Sequence, residues 1–125
     1  MLDRLLDSVI LIDHLNSVPQ ATEFLIALDP EKTAISVISY AEILTGLDEE
    51  GAKKAGPLLC SYEMLEIDAA VAEKAAAMRW QFGWKLPDAF QVAIAILHGL
   101  KLCTRNTKDF DPQKHPFIEI PYLLR

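Results

Sequence analysis

Long apolar runs are missing from this 125-residue chain, although 51% of its residues are hydrophobic. Two of its apolar stretches, residues 9–12 and 92–97, fall far short of the roughly 18 residues that a membrane-spanning helix needs. The first four residues place an acid beside their single base, which is unlike a signal peptide. We therefore expect no membrane segment and a location in the cytoplasm.

Cysteine is also scarce, since Cys60 and Cys103 are the only two and stand far apart in the sequence. They form no Cys-x-x-Cys pair, and the histidines His14, His98 and His115 share no metal-ligand spacing. We expect two buried free thiols in a reducing compartment rather than a disulfide or a zinc site. The histidines are expected to lie at the surface or to have ordinary hydrogen-bond partners.

Basic residues are outnumbered, with 12 Lys and Arg against 18 Asp and Glu and a net charge of −6. Non-specific binding to nucleic acid depends on surplus basic charge, so this balance argues against it. A nucleic-acid enzyme is not excluded, because several of the acids can share one metal-filled cleft. The acidic surplus equally suits a basic protein partner.

The pattern that is present is an alternation of short apolar strands and helices, which favours one α/β domain over residues 1–125. We expect a central parallel sheet of about five strands with helices on both faces. The predicted strands cover residues 4–7, 33–38, 64–67, 101–104 and 117–120. The predicted helices cover residues 9–15, 19–28, 39–47, 49–61 with a break near Gly56 and Pro57, 69–82 with Asp68 as cap and Gly83 as stop, and 88–97.

Four acidic signatures follow one another along the chain, each where a strand-like run or a turn gives way to a helix or loop. They are Leu6-Asp7-Ser8, Ser39-Tyr40-Ala41-Glu42, Leu86-Pro87-Asp88-Ala89 and Thr104-Arg105-Asn106-Thr107-Lys108-Asp109-Phe110. In an open α/β sheet these junctions converge on the carboxyl edge of the strands. Carboxylates gathered there repel one another unless a cation lies between them, which favours a divalent-metal site built for hydrolysis.

Each acid has an ordinary structural interpretation when it is taken alone. Asp7 suits the N-cap of the helix that follows it, and Ser39 with Glu42 has the spacing of a capping box. Asp88 suits the positive end of a helix dipole, and Asp109 suits a turn. The ordered set of four, in these local contexts, is what favours the catalytic interpretation.

That set resembles the PIN-domain nucleases, and most closely the small toxins of the VapC type. The segment from Asp7 to Asp13 is similar to the family's opening Asp-Thr-Asn/Ser-Val-Leu-Ile-Asp. The blocks around Glu42, Asp88 and Asp109 are similar to the family's second, third and fourth blocks, and the resemblance spans essentially the whole chain. It implies a homodimeric endoribonuclease that uses Mg²⁺ or Mn²⁺, leaves 5′-phosphate and 3′-hydroxyl ends, and is neutralised by a small antitoxin.

The resemblance also implies a role for each motif residue. Asp7 and Asp88 would be direct metal ligands, and Glu42 and Asp109 would hold ordered waters or a second ion. Residues that would orient these carboxylates or contact the scissile phosphate are Ser8, Thr104 and Asn106. Basic residues that flank the acids, and are candidates for contact with RNA, are Lys85, Arg105 and Lys108. Asp13 is expected to be structural, and Trp80, Phe82 and Trp84 are expected in core or dimer packing rather than base stacking.

Two positions depart from the family pattern. Val9 stands where a small polar residue is usual, and Asn106 stands where some members carry an acid. The loss of a polar group at Val9 leaves open a second interpretation, a PIN-like module that binds without cleaving.

Two further Mg²⁺-dependent alternatives fit the motifs less well. A phosphoacceptor receiver domain needs adjacent acids after its first strand, but Asp7 is followed by Ser8, and no late strand is followed by the required Lys. A phosphatase with an Asp-x-Asp loop is excluded because Val9 occupies the place of its second acid.

Overall fold

The computed structural model describes residues 1–124 and contains a five-stranded sheet in which every strand pairing is parallel. The strands are β1 (Arg4–Leu6), β2 (Thr33–Ser36), β3 (Glu63–Leu65), β4 (Lys101–Cys103) and β5 (Ile118–Glu119). All five occur where the sequence predicts them, each shorter by one or more residues. The predicted α/β class and strand number are therefore confirmed.

The strand order is β3-β2-β1-β4-β5. The chain places β2 and β3 on one side of β1 and then β4 and β5 on the other, so the strand order reverses between β1 and β4. In register, Leu6 at the end of β1 lies between Ile35 of β2 and Cys103 of β4. Such a reversal opens a crevice at the carboxyl ends of the two central strands, which is where open α/β sheets bind ligands. A receiver domain would have the order 2-1-3-4-5, so this topology excludes that alternative.

Six helices flank the sheet within the described residues. They are α1 (Ser8–Leu15), α2 (Pro19–Ala27), α3 (Val37–Thr45), α4 (Glu49–Cys60), α5 (Ala69–Phe82) and α6 (Leu86–His98), with a 3₁₀ turn at Pro30–Lys32. Across residues 1–124, none of them combines the length and the apolar character needed to cross a bilayer.

The core has two layers because side chains alternate across the strands. Leu5 of β1 packs in the layer covered by α5 and α6, while the next residue, Leu6, packs in the layer covered by α1 to α4. In β4, Leu102 and Cys103 divide in the same way. Helices therefore cover both faces, as predicted, and the carboxyl edge of the sheet is left for the site.

The limits of α5 follow the predicted signals. Asp68 caps this helix by accepting a hydrogen bond of 3.0 Å from the backbone N–H of Val71. Gly83 ends it with φ of 74°, a conformation that a residue without a Cβ adopts without strain.

The beginning of α3 differs from the prediction. Strand β2 ends at Ser36 rather than at residue 38, and Ser36 Oγ accepts the Ser39 N–H at 3.1 Å. Ser36 is therefore the N-cap, and the predicted capping box of Ser39 with Glu42 is wrong. A serine three residues earlier offers the same hydroxyl, and residues 37 and 38 are accommodated as the first turn of the helix.

Two predictions about α4 are also wrong, a break near Pro57 and the burial of Cys60. Helix α4 is continuous through Pro57, because Pro57 and the residue four before it, Lys53, lie on the exposed face, where water can bind the freed carbonyl. Cys103 is buried as predicted, but Cys60 is exposed on the last turn of α4.

Candidate metal centre

Asp7 follows β1 directly at the strand-order reversal. Its backbone N–H donates to the Cys103 carbonyl at 2.9 Å, which continues the pairing with β4. Its side chain occupies the N-cap position of α1 but makes no capping hydrogen bond. Instead, Oδ2 accepts from the Thr104 hydroxyl at 2.8 Å, and Oδ1 accepts from Gln91 Nε2 at 3.5 Å. The structural explanation of Asp7 as a helix cap therefore does not apply.

Burial raises the pKa of the Asp7 carboxyl above its ordinary value. Hydrogen bonds from Thr104, Ser8 and Gln91 act in the opposite direction without cancelling that effect. All of these donors are neutral, and among residues 1–124 no basic side chain forms an ion pair with Asp7.

Asp88 is the third residue of α6, in its first turn. Its pKa is raised from 3.8 to about 6, chiefly by burial and further by the negative charges of Asp7, Asp109 and Glu42. Lys85 acts against it but does not outweigh it. Asp7, Glu42 and Asp109 are therefore close enough to Asp88 for their charges to act on it.

Glu42 reaches the same region from α3, although its side chain is largely exposed. The hydroxyl of Ser8, the first residue of α1, donates to Glu42 Oε1 at 3.1 Å. Burial raises the Glu42 pKa, and the charge of Asp7 raises it further. Ser8 thus connects the first motif to the second.

The loop after β4 is organised by side chains of its own. Thr104 Oγ1, which donates to Asp7, also accepts the Asn106 N–H at 3.1 Å. Asn106 in turn donates through Nδ2 to Asp109 Oδ2 at 2.9 Å, and its Oδ1 accepts the Asp109 N–H at 3.2 Å. Trp84 Nε1 donates to the Asp109 carbonyl at 3.0 Å. These bonds hold the exposed carboxylate of Asp109 beside the other acids.

Arg105 binds the Asp13 carboxylate with two nitrogens, Nε to Oδ2 and Nη2 to Oδ1 at 3.0 Å. The Tyr122 hydroxyl donates to Asp13 Oδ2 at 2.9 Å. The hydrogen bond from Arg105 is the main cause that lowers the pKa of Asp13. Asp13 is thus a buried structural acid, as expected, and the guanidinium of Arg105 is already engaged. The other two basic candidates, Lys85 and Lys108, are exposed.

An open cavity of about 380 Å³ adjoins the acids. Its lining residues are Asp7, Val9, Arg105, Asn106, Thr107 and Lys108. One wall therefore carries an acid and the other carries amide and basic groups, an arrangement suited to a phosphate group beside a carboxylate-held cation. Val9 contributes an apolar surface at the place where the resemblance leads one to expect a polar side chain.

Three polar residues in this region were not predicted as part of the site. Gln91, Ser36 and Ser39 are buried and hydrogen-bonded to one another next to Asp7. One signal was available in the sequence, because Gln91 is the one long polar side chain in the otherwise apolar segment from residue 89 to 97 and lies one turn after Asp88. Its partners lie more than fifty residues away, and no local pattern connects them.

The donor set suits a hard divalent cation. No three Asp, Glu, His or Cys side chains within residues 1–124 are arranged as a ready cation cage. Mg²⁺ is typically held by only one or two carboxylates and keeps several waters, so a site for this ion does not require a three-ligand cage.

Comparison with known proteins gives one family. The PIN domain model matches residues 4–113. The chain is similar to a protein in a toxin–antitoxin complex from Klebsiella pneumoniae, with 35% identity and a TM-score of 0.90 over 98% of this chain and all of that one. Among curated proteins, no sequence matches.

Two more distant structures share the fold. One is a DNA-bound VapBC from Salmonella typhimurium, with 21% identity and a TM-score of 0.81 over 95% of this chain and 98% of that one. The other is VapBC2 from Rickettsia felis, bound to a promoter DNA fragment, with 22% identity and a TM-score of 0.79 over 94% and 98%.

Proposed function

Because this chain belongs to the PIN domain family of nucleases, we propose that it is a VapC-type toxin that hydrolyses RNA with the help of Mg²⁺ or Mn²⁺. The observation that carries this proposal is the position of the four carboxylates at the carboxyl edge of the sheet, where Asp7, Glu42 and Asp109 lie close enough for their charges to act on the partly buried Asp88. A fold does not keep such a group of acids for its stability, and a catalytic metal explains it.

Asp7 and Asp88 are the proposed ligands of the cation. A bound Mg²⁺ or Mn²⁺ would lower the pKa of a coordinated water and neutralise charge on the scissile phosphate. Each carboxylate oxygen has two lone pairs, so Asp7 Oδ2 keeps one for a cation while it accepts the hydrogen bond from Thr104. Glu42 and Asp109, oriented by Ser8 and Asn106, would accept hydrogen bonds from waters of the site.

The proposed position of the scissile phosphate is the cavity between Asp7 and Lys108. The exposed ammonium groups of Lys85 and Lys108 would contact phosphates of the bound strand and would partly offset the net charge of −6. Arg105 is proposed to hold the cavity wall through Asp13 rather than to bind RNA. Hydrolysis by an activated water needs no covalent intermediate on the protein and would leave 5′-phosphate and 3′-hydroxyl ends.

An antitoxin partner is the second part of the proposal. It is supported by the likeness to a protein found in a toxin–antitoxin complex. The acidic site would accept a basic side chain of that partner in place of the cation, in keeping with the net charge of −6. We further propose that residues 1–125 form one PIN domain and that the toxin acts in the cytoplasm as a homodimer.

A catalytically silent binding module is the alternative function. It is favoured by one observation, the apolar surface that Val9 contributes to the cavity beside Asp7. The four acids and the hydrogen bonds that orient them are all present, which is why we prefer the nuclease.

The test is cleavage of a labelled RNA pool by the antitoxin-free protein with Mg²⁺ or Mn²⁺, with EDTA and with the Asp88→Asn variant. Glu73→Gln is a charge-matched control, because it removes one negative charge from an exposed position of α5. We expect 5′-phosphate products that disappear with EDTA and with Asp88→Asn but persist in Glu73→Gln. Intact RNA from a folded, metal-loaded protein would instead support the binding module.

A further inference from the structure

Gln91 is an amide in the interior of the domain, with only 2% of its surface exposed. Burying an amide is costly unless its donors and acceptors have partners. Its carbonyl Oε1 accepts from the Ser36 hydroxyl at 2.7 Å, and its Nε2 donates to Ser39 Oγ and, at 3.5 Å, to Asp7 Oδ1. The carbonyl of Gln91 therefore has a partner, and its Nε2 lies within hydrogen-bond distance of two acceptors.

The two serines determine which way this amide points. Ser36 Oγ accepts the Ser39 N–H at the start of α3, so its own hydrogen is free to be donated to Gln91 Oε1. Ser39 Oγ donates to the Leu6 carbonyl at 3.4 Å, which leaves its lone pairs for Gln91 Nε2. With the carbonyl of Gln91 fixed on Ser36, the NH₂ group has to face Ser39 and Asp7.

The network joins four elements near the strand-order reversal. Ser36 ends β2, Leu6 ends β1, Ser39 lies in the first turn of α3, and Gln91 lies in α6 one turn beyond Asp88. Thr104, at the end of β4, holds the other oxygen of the same carboxylate. The two oxygens of Asp7 are thus held from two sides, by α6 and by β4.

We propose that Gln91 is a positioning residue of the metal centre, which orients the Asp7 carboxylate relative to Asp88 through the second N–H of its buried amide. This inference rests on the proposed function. A residue that served only to fill the core and link the serines would need one N–H donor, toward Ser39. Gln91 Nε2 also lies within hydrogen-bond distance of Asp7, a carboxylate that forms no ion pair within residues 1–124. Gln91 lies on the same helix as Asp88, the other proposed metal ligand.

The test is the affinity for Mn²⁺, measured without RNA by calorimetry or by the EPR signal of free Mn²⁺, in the wild type and in Gln91→Met. Methionine has a similar size and no donor. Since loss of a group that orients a metal ligand typically costs about 10- to 100-fold in affinity, we expect the dissociation constant to rise by at least about tenfold.

Thr33→Val is the control, because it too removes a buried hydrogen-bonding group, the Thr33 hydroxyl, which donates to the Asp29 carbonyl at the opposite end of β2. We expect it to lower the melting temperature and to leave the Mn²⁺ affinity unchanged. If Gln91→Met binds Mn²⁺ within about twofold of the wild type, the positioning role is refuted. If Gln91→Met does not fold, Ser39→Ala decides, since it frees the amide from one of its two serines: weaker Mn²⁺ binding is expected, and wild-type binding would overturn the inference.

The same titration separates this inference from the proposed function. A wild type that binds no Mn²⁺ would overturn the metal-dependent nuclease, and the positioning role with it. A wild type that binds Mn²⁺ and is matched by Gln91→Met would leave the nuclease intact and remove only the role of Gln91.

Discussion

Asp7 and Asp13 belong to the same strand–helix unit, and their surroundings are opposite. Asp13 receives two hydrogen bonds from the Arg105 guanidinium and one from the Tyr122 hydroxyl, and its pKa is lowered. Asp7 receives hydrogen bonds from neutral donors only, lies beside other acids, and has a raised pKa. One carboxylate is already balanced by a cation of the protein, and the other is not.

This difference distinguishes a structural acid from an acid that needs a ligand. A paired buried carboxylate stabilises the fold and loses that role when its partner is removed. A carboxylate surrounded by other carboxylates lowers the stability of the metal-free fold, so its presence is explained by what it binds. Three predictions test this difference between Asp7 and Asp13.

The largest effect is expected for Asp7→Asn. Loss of a residue that only orients a metal ligand costs about 10- to 100-fold, so loss of a proposed ligand should reduce RNA cleavage by more than about a hundredfold. The metal-free variant should melt at a higher temperature than the wild type, because the repulsion with Glu42 and Asp88 is relieved. Cleavage assays and thermal unfolding in EDTA measure the two effects. A lower melting temperature together with normal cleavage would show that Asp7 is a structural acid and not a metal ligand.

A smaller effect is expected for Asp13→Asn, and this variant should lower the stability of the fold rather than raise it. This variant leaves Arg105 without its carboxylate, and we expect a loss of about 2 kcal/mol in the free energy of unfolding, less than for a fully buried pair because Arg105 is partly exposed. Tyr122→Phe removes only a neutral donor and should cost about 1 kcal/mol. Urea unfolding measures both, and Mn²⁺ affinity should stay close to that of the wild type. Equal stability of all three proteins would show that Asp13 is not the structural acid.

The smallest effect is the dependence of stability on pH in the metal-free protein. The folded-state pKa of Asp88 is raised to about 6 from 3.8, so the folded protein binds a proton in a range where the unfolded chain does not. This contribution to stability is present at low pH and is lost as the pH rises through about 6. Asp13, with its lowered pKa, contributes in the opposite sense and loses its contribution only as the pH falls below its ordinary value of 3.8.

The difference in unfolding free energy between the wild type and Asp88→Asn isolates the contribution of Asp88. We expect the wild type to gain stability relative to the variant between pH 7.5 and pH 5. A constant difference over this range would mean that Asp88 titrates as an ordinary exposed acid.

Local signals in the sequence predicted most of the fold. Asp68 and Gly83 delimit α5 because an N-cap and a left-handed C-cap depend on neighbouring residues only. Ser39 was a less reliable guide, because Ser36 offers the same hydroxyl three residues earlier and the end of β2 decides between them. A proline inside a helix predicts a break, but α4 continues through Pro57, which lies on its exposed face.

The proximity of the four acids could be predicted, because each of them follows a local motif near the carboxyl edge of the sheet. Gln91 and the pairing of Arg105 with Asp13 could not be predicted, because both depend on contacts across more than fifty residues of chain that only the folded sheet creates. The environment of Asp7 illustrates the same point. The sequence supports a helix cap, and the three-dimensional contacts with Thr104 and Gln91 exclude it.

The most direct test of the account is thermal unfolding of the metal-free protein during titration with Mg²⁺, against NaCl at equal ionic strength. A cation that binds between the acids of the folded state stabilises that state by mass action. We predict a saturable rise in melting temperature with Mg²⁺ in the wild type and in Glu73→Gln, and none beyond the salt control in Asp88→Asn. A wild type that responds to Mg²⁺ no more than to NaCl would contradict the claim that these carboxylates form a cation site.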